Sequence, residues 1–260
     1  MTPFSLHTPP FAPLLSLIKD FSQWPPAIET LNALAATRAV TNGAGSPLRF
    51  EAAQGRLSAL DYERRIAQTG RVATREGDLH DVFNALVWLS FPRMKAALNR
   101  LHGGACVGRR SPARDFATLL DESGMLIAYR DAALIDLLRQ RAWQRLFVDR
   151  REEVIEKLRF FVVGHAIYQK AQQPYPGITA HTLALPMTNA FFDLPLGQAV
   201  SEIDLAAAEW IRADDRPLNS ARLTPLPIYG IPGWHTEQDA AFYADARYFR
   251  PLKISDSNPG

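Results

Sequence analysis

Cysteine is almost missing: Cys106 stands alone among 260 residues. That excludes an intramolecular disulfide and any paired-cysteine zinc motif, and it fits a reducing compartment. Long apolar runs are missing as well. The most apolar ones, such as 160–167, are far too short to span a bilayer. The N-terminus lacks the Lys/Arg-led apolar core and small-residue cleavage site of a signal peptide. The expectation is a cytoplasmic protein with no membrane partner. A dominant charge is also lacking. Net charge is +2, so no global field points to nucleic acid. Nor is there a phosphate-cradling glycine loop, a dinucleotide fingerprint, a Gly-x-Ser-x-Gly elbow or a His-Glu-x-x-His pair. These absences leave no reaction class named.

What is present is ordinary for a globular chain: 47% hydrophobic and 22% charged residues, and enough length to bury a sizeable core. No linker, repeat or low-complexity tract divides it. The fold class expected is α+β, mostly helical. One globular domain would carry a small antiparallel sheet or hairpin and an extended C-terminal strap. Residues 1–47 would be an arm and short helices packed on the core, 48–252 the main domain, and 253–260 a frayed tail.

Pro3, Pro9, Pro10 and Pro13 predict an extended arm. Segments 14–21 and 27–39 have helical apolar spacing. Segments 48–53, 62–69 and 71–74 suit extended chain with a turn at Thr69-Gly70, although Glu63-Arg64-Arg65 suits an exposed helix equally well. Segments 116–122 and 125–129 flank Ser123-Gly124 as a hairpin would. Amphipathic helices are expected over 131–147, 152–172 and 201–213. From Leu223 the prolines exclude a regular helix. There Leu226, Ile228, Ile231 and Trp234 would anchor the strap, before an aromatic element over 239–249.

The stretch 78–102 is the most informative. Asp78 suits an N-cap, and Asp81 sits where a carboxylate favours the helix dipole. No Lys, Arg or Glu interrupts 79–91, so this is not an ordinary surface helix. His80 and Asn84 share one face, with Asp81 and Trp88 beside them. Pro92 should kink or restart the helix. Beyond it Lys95, Asn99 and His102 share a face at i, i+4 and i+7. If the two halves pack so that the stripes meet, His80, Asn84, Asn99 and His102 share a cavity. Otherwise Asp78 and Asp81 are caps and the second stripe faces water.

Asp121-Glu122-Ser123-Gly124 offers carboxylates, or simply turn chemistry. His165 follows Gly164 inside an apolar stretch, where a small residue suggests close approach of a backbone or ligand. His181 has similar standing. His80, His102, His165 and His181, with Asp81 and Glu122, are candidate ligands for a divalent metal, though no pair has a diagnostic spacing. Cys106 lies near Arg109 and Arg110, which would lower its pKa. Arg93, Lys95, Arg100, Arg109, Arg110 and Arg114 form a basic segment without an acid.

A family pattern runs through the same residues. Tyr62-Glu63-x-x-Ile66 and Gly70-x-Val72-x-Thr74-Arg75 precede His80-Asp81-x-Phe83-Asn84-Ala85-Leu86-Val87-Trp88-Leu89-x-Phe91-Pro92-x-x-Lys95-Ala96-Ala97-Leu98-Asn99-x-x-His102. Later come Gly164-His165-Ala166, Gly177-x-Thr179-Ala180-His181, Gly230-Ile231-Pro232-Gly233-Trp234 and Phe242-Tyr243-x-Asp245 with Phe249-Arg250-Pro251. In order and spacing, from about residue 48 to 251, this resembles the bacterial family called domain of unknown function 3025. The resemblance implies a proteobacterial protein and carries over no activity, cofactor or catalytic residue. Gln169-Lys170 stands where a Glu-Lys-type pair is expected, so no carboxylate is implied there.

Three readings follow. The first is an enzyme of hydrolase type, with His80 as base or ligand, Asp81 as its partner, and Asn84 and Asn99 as hydrogen-bonding groups. His102, His165, His181 and Glu122 would contribute nearby. The second is a binder of nucleic acid or another phosphate-bearing ligand through Lys95, Arg109, Arg110, Arg114 and the rest of the basic segment. The third is a non-catalytic scaffold.

Overall fold

The computed structural model describes residues 8–19, 21–103, 111–213 and 217–252. Cys106, Arg109 and Arg110 lie outside them. The architecture is α+β and mostly helical, as the sequence implied. Pro9–Leu14 forms a 3-10 helix and not an extended arm, because proline's fixed φ suits either conformation. Its Phe11 is buried against Phe83 and Tyr168. Two short helices follow, α1 (Leu15–Ile18) and α2 (Ile28–Thr37).

β1 (Arg49–Ala52), α3 (Ala59–Thr69) and β2 (Arg71–Thr74) form a crossover unit, and the two strands pair in parallel. Extended chain over 62–69 is thereby overturned, since parallel neighbours need a crossover and α3 provides it. Ser58 caps the helix by accepting from the Asp61 amide, and Gly70 ends it at φ +70°. A Cβ at Gly70 would lie 2.3 Å from the Pro47 carbonyl oxygen, so a turn between strands is replaced by a glycine helix stop.

α4 (Leu79–Ser90) and α5 (Pro92–Gly103) are the two halves expected around Pro92. Asp78 caps α4 by accepting from the amides of His80 and Asp81. Every residue of α4 from Val82 to Ser90 is buried. The start of α5 is capped from a distance: the Arg93 and Met94 amides donate to the Asp204 carboxylate at 3.1 and 2.8 Å. Burial raises that carboxyl to about 6.

The hairpin expected at Ser123-Gly124 is absent. Residues 112–123 are instead helix α6 (Pro112–Ser123), capped by Ser111, and it runs directly into β3 (Gly124–Tyr129). Phe116, Ala117 and Leu120 fall on the buried side of α6, a helical spacing that the turn residues had obscured. The helix expected over 131–147 stops early. It is α7 (Ala132–Arg139), followed by Arg141 at φ +53° and a π-turn at Arg145–Asp149. The helix expected over 152–172 divides into α8 (Arg151–Lys157), β4 (Leu158–Val162) and α9 (His165–Ala171). Aromatic and β-branched residues at 160–163 favour strand, and β3 supplies the partner.

β5 (Thr179–Pro186) and β6 (Thr224–Pro227) complete a four-stranded sheet in the order β4-β3-β5-β6. Its outer pairings are antiparallel and the central β3–β5 pairing is parallel. Between these strands run α10 (Asn189–Phe192) and α11 (Leu196–Arg212). Pro225 and Pro227 are tolerated because β6 is an edge strand. The strap continues with Leu226, Ile228 and Ile231 buried and Trp234 partly so. It ends in α12 (Ala240–Ala244) and the buried Tyr243, Tyr248 and Phe249. One hydrophobic cluster extends from Phe11 to Phe249. Among the described residues no helix is long and apolar enough to cross a membrane. α4 packs on α9, while α5 packs on α3, α6 and α11. These contacts enclose the site.

Candidate functional site

A cavity of about 750 Å³ opens between α3, α4, α5, α6, the start of α9 and the β1–α3 loop. Its polar lining includes Tyr62, Glu63, Arg75, His80, Asp81, Asn84, His102, Arg114, Asp121, Glu122 and His165. The two polar stripes of α4 and α5 therefore meet, with His80, Asn84 and His102 in the lining and Lys95 and Asn99 behind it. Lys95 Nζ donates to Asn84 Oδ1 at 2.8 Å, joining one stripe to the other. Asn84 in turn donates to the Tyr62 hydroxyl at 2.8 Å.

The stripe on α5 is buried and not solvated: Lys95 is 4% exposed and Asn99 2%. Lys95 is held by Asp121 Oδ1 at 2.5 Å and lies 5.0 Å over the Trp88 ring. Burial pushes the Asp121 carboxyl up, but Lys95 and His165 beside it outweigh this and hold it below the usual range. Removing one partner of such a buried pair costs about 3–5 kcal/mol, because the other charge is left bare. Asn99 braces the floor. It accepts from the Gly43 amide at 3.1 Å and donates weakly to Glu63 at 3.4–3.5 Å.

Glu63 is a buried carboxyl of the cavity whose pKa is raised. Burial first, and then the Asp121 charge, raise it to about 7. Burial also keeps Tyr62 protonated far above its ordinary range. His102 is pushed down to about 4 by burial, so its ring is neutral near pH 7. Its Nδ1 has no hydrogen-bond partner among the described residues.

The His80, His165 and Glu122 side chains converge at one corner, where their donor atoms all lie within 4.8 Å of one another. His80 sits in the first turn of α4, His165 opens α9, and Glu122 lies in the last turn of α6. Gly164 makes this convergence possible. A Cβ there would meet the Gly124 amide nitrogen at 2.3 Å and the Glu122 carbonyl oxygen at 2.6 Å. The close approach suggested by this glycine is that of a backbone, and it sets His165 against Asp121 and Glu122. His165 beside Glu122 lowers that carboxyl.

Asp81 does not partner His80. Its carboxylate takes the Arg75 amide at 2.8 Å and the Arg75 guanidinium at 2.9 and 2.7 Å. Burial raises the Asp81 carboxyl, but these hydrogen bonds prevail and hold it low. His80 meets Gln169 instead, with Nδ1 3.3 Å from Oε1. His181 is not in the cavity lining. It lies on β5 with Nδ1 3.1 Å from Ser123 Oγ, and burial lowers its pKa.

Among the described residues, the basic segment forms no single face. Lys95 points into the protein, Arg93 lies 3.6 Å from Asp204 on α11, and Arg114 lines the cavity. Sequence reasoning did not single out Tyr62, Glu63, Arg75 or Gln169 as site residues. Tyr62 and Glu63 fell in a segment left open between strand and helix. In the sequence Gln169 marks only the lack of an expected carboxylate, and its contact with His80 comes from the fold. The signal that would have found the first two was Ser58 three residues ahead of Asp61, a helix N-terminus placing Tyr62, Glu63 and Ile66 within its first turns.

No curated protein and no solved structure matches the chain. A family model described as "Protein of unknown function (DUF3025)" matches residues 48–253, nearly the whole span of the site and sheet, and the chain belongs to that family.

Proposed function

We propose that this protein is a hydrolase and that the cavity between α3, α4, α5, α6 and α9 is its active site. The observation that carries the reading is the gathering of His80, His165 and Glu122 at a cavity corner, with Glu63 raised to about 7 in the same lining. Titratable groups shifted by burial and by one another cluster where acid–base chemistry is done. The His80–His165–Glu122 corner activates a water molecule. Glu63, half protonated near neutral pH, gives and takes the proton at the leaving group, since a pKa near the working pH serves both directions. Tyr62 stays protonated and neutral His102 adds a polar edge. Arg75, fixed by Asp78 and Asp81, sets a positive charge in the lining. Lys95, Asp121, Asn84 and Asn99 are positioning residues. A single cysteine suits work in a reducing, cytoplasmic setting.

The test is a panel of ester, amide and phosphoester substrates offered to the wild type and to His80→Ala and Glu63→Gln. Turnover should fall by about a hundredfold or more in Glu63→Gln, with the alkaline side of the pH profile altered. Turnover of equal rate in all three proteins would contradict the reading.

A further inference from the structure

We propose that His80, His165 and Glu122 form a binding site for one divalent transition-metal ion, of the kind for which zinc is the simplest probe. The site's role in water activation rests on the hydrolase reading; its existence does not.

Distances come first. His80 Nε2 and His165 Nε2 are 3.1 Å apart, with the two rings edge to face at 75°. Glu122 Oε2 lies 3.5 Å from the same His165 nitrogen. Ligands held at roughly 2.0–2.1 Å from a tetrahedral ion stand about 3.3–3.4 Å from one another. These two separations bracket that edge, and all three donor atoms lie within 4.8 Å of one another.

Protons come second. His80 Nδ1 faces the side-chain Oε1 of Gln169 at 3.3 Å. His165 Nδ1 stands 3.8 Å from Asp121 Oδ2 and has no hydrogen-bond partner of its own among the described residues. The Gln169 acceptor favours a proton on His80 Nδ1. His80 Nε2 then presents its lone pair to His165 Nε2, with the Glu122 carboxylate alongside. The gap takes either a proton on His165 Nε2 or a cation, and a cation there draws on all three donor atoms at once. A carboxylate or carbonyl behind each imidazole is also how metal-bound histidines are oriented.

Scaffold and access come third. All three donors sit on helix ends, and the His165 side chain is 5% exposed while that of Glu122 is 45% exposed. The back of the site is dry and its front faces the cavity. Three protein donors with an open side match a catalytic site and not a closed structural one. Two imidazoles and one carboxylate select zinc, iron or cobalt over magnesium or calcium. Bound there, the ion would supply a Lewis acid and a water of lowered pKa.

The experiment strips the full-length protein with a chelator and titrates Zn²⁺ by calorimetry, with Co²⁺ absorbance as a second readout. One equivalent should bind, excess Mg²⁺ should not displace it, and His181→Ala should bind as the wild type does. His165→Ala and Glu122→Gln should bind at least about tenfold more weakly. Glu122 is half-exposed, so that variant keeps its fold, checked by circular dichroism. A folded wild type that takes up no Zn²⁺ would overturn the site, and a proton shared by the two rings would then occupy the gap. Binding of unchanged affinity in both ligand variants would overturn it too. Zn²⁺ binding without turnover of any substrate supports the site and counts against the hydrolase. Turnover by a protein that binds no Zn²⁺ does the reverse.

Discussion

Glu63 shows how far a single side chain's behaviour departs from what its letter suggests. Its folded value, about 7, lies above the ordinary 4.5. Between those values the native state holds the proton and the unfolded chain does not. Stability therefore falls as pH rises through this window and levels off above it. Urea unfolding at about pH 5 and about pH 8 should show the wild type losing roughly 1–3 kcal/mol relative to Glu63→Gln over that interval. Parallel profiles for the two proteins would show that Glu63 titrates normally. None of this could be read from the sequence, because burial comes from α5 and α6 and the opposing charge from Asp121. His80 and Asn84 were legible because their shared face follows from helix geometry alone. Asp81 was read correctly as an acid near a helix start, yet its partner, Arg75, lies outside the helix. Spacing along one helix gives no warning of that.

At the level of elements, what could be read was whatever is written locally. The break of α4 and α5 at Pro92, the Asp78 cap and the length of apolar face are all encoded within the stretch itself. β4 was hidden inside an expected helix because its strand character depends on β3, more than thirty residues earlier. α6 was mistaken for a strand because Ser123-Gly124 carries turn residues, and here they end a helix instead. Gly164 connects these elements to the site. Its backbone is at φ −74°, which any residue can adopt, so an alanine there is opposed by contact and not by conformation. Gly164→Ala should lower stability by about 1–3 kcal/mol, since the atoms it meets are backbone and cannot turn aside. It should also weaken Zn²⁺ binding by shifting His165. Gly197→Ala, where nothing lies within 4 Å, should be neutral or slightly stabilising. Chemical denaturation of both variants measures the difference, and equal stabilities would contradict this account of α9.

Across the whole molecule, the site is an assembly of distant parts. His80, Glu122 and His165 come from three helices, and the groups behind the two imidazoles, Gln169 and Asp121, from α9 and α6. The sheet β4-β3-β5-β6 fixes the α6–β3 and β4–α9 junctions against each other, and the strap closes the sheet's far edge through β6. That is why the corner was only one arrangement among several while the sequence alone was in view. Four histidines were candidates, and only the folded chain separates His181 from the other three. The central claim is that His80, His165 and Glu122 hold one metal ion at a common point. X-ray absorption at the zinc edge, on protein loaded with one equivalent in solution, addresses it directly. The predicted spectrum has nitrogen and oxygen ligands at about 2.0–2.1 Å, with the outer-shell scattering of two imidazoles, reduced to one in His165→Ala. An all-oxygen shell without imidazole scattering, or a spectrum unchanged in that variant, would contradict it.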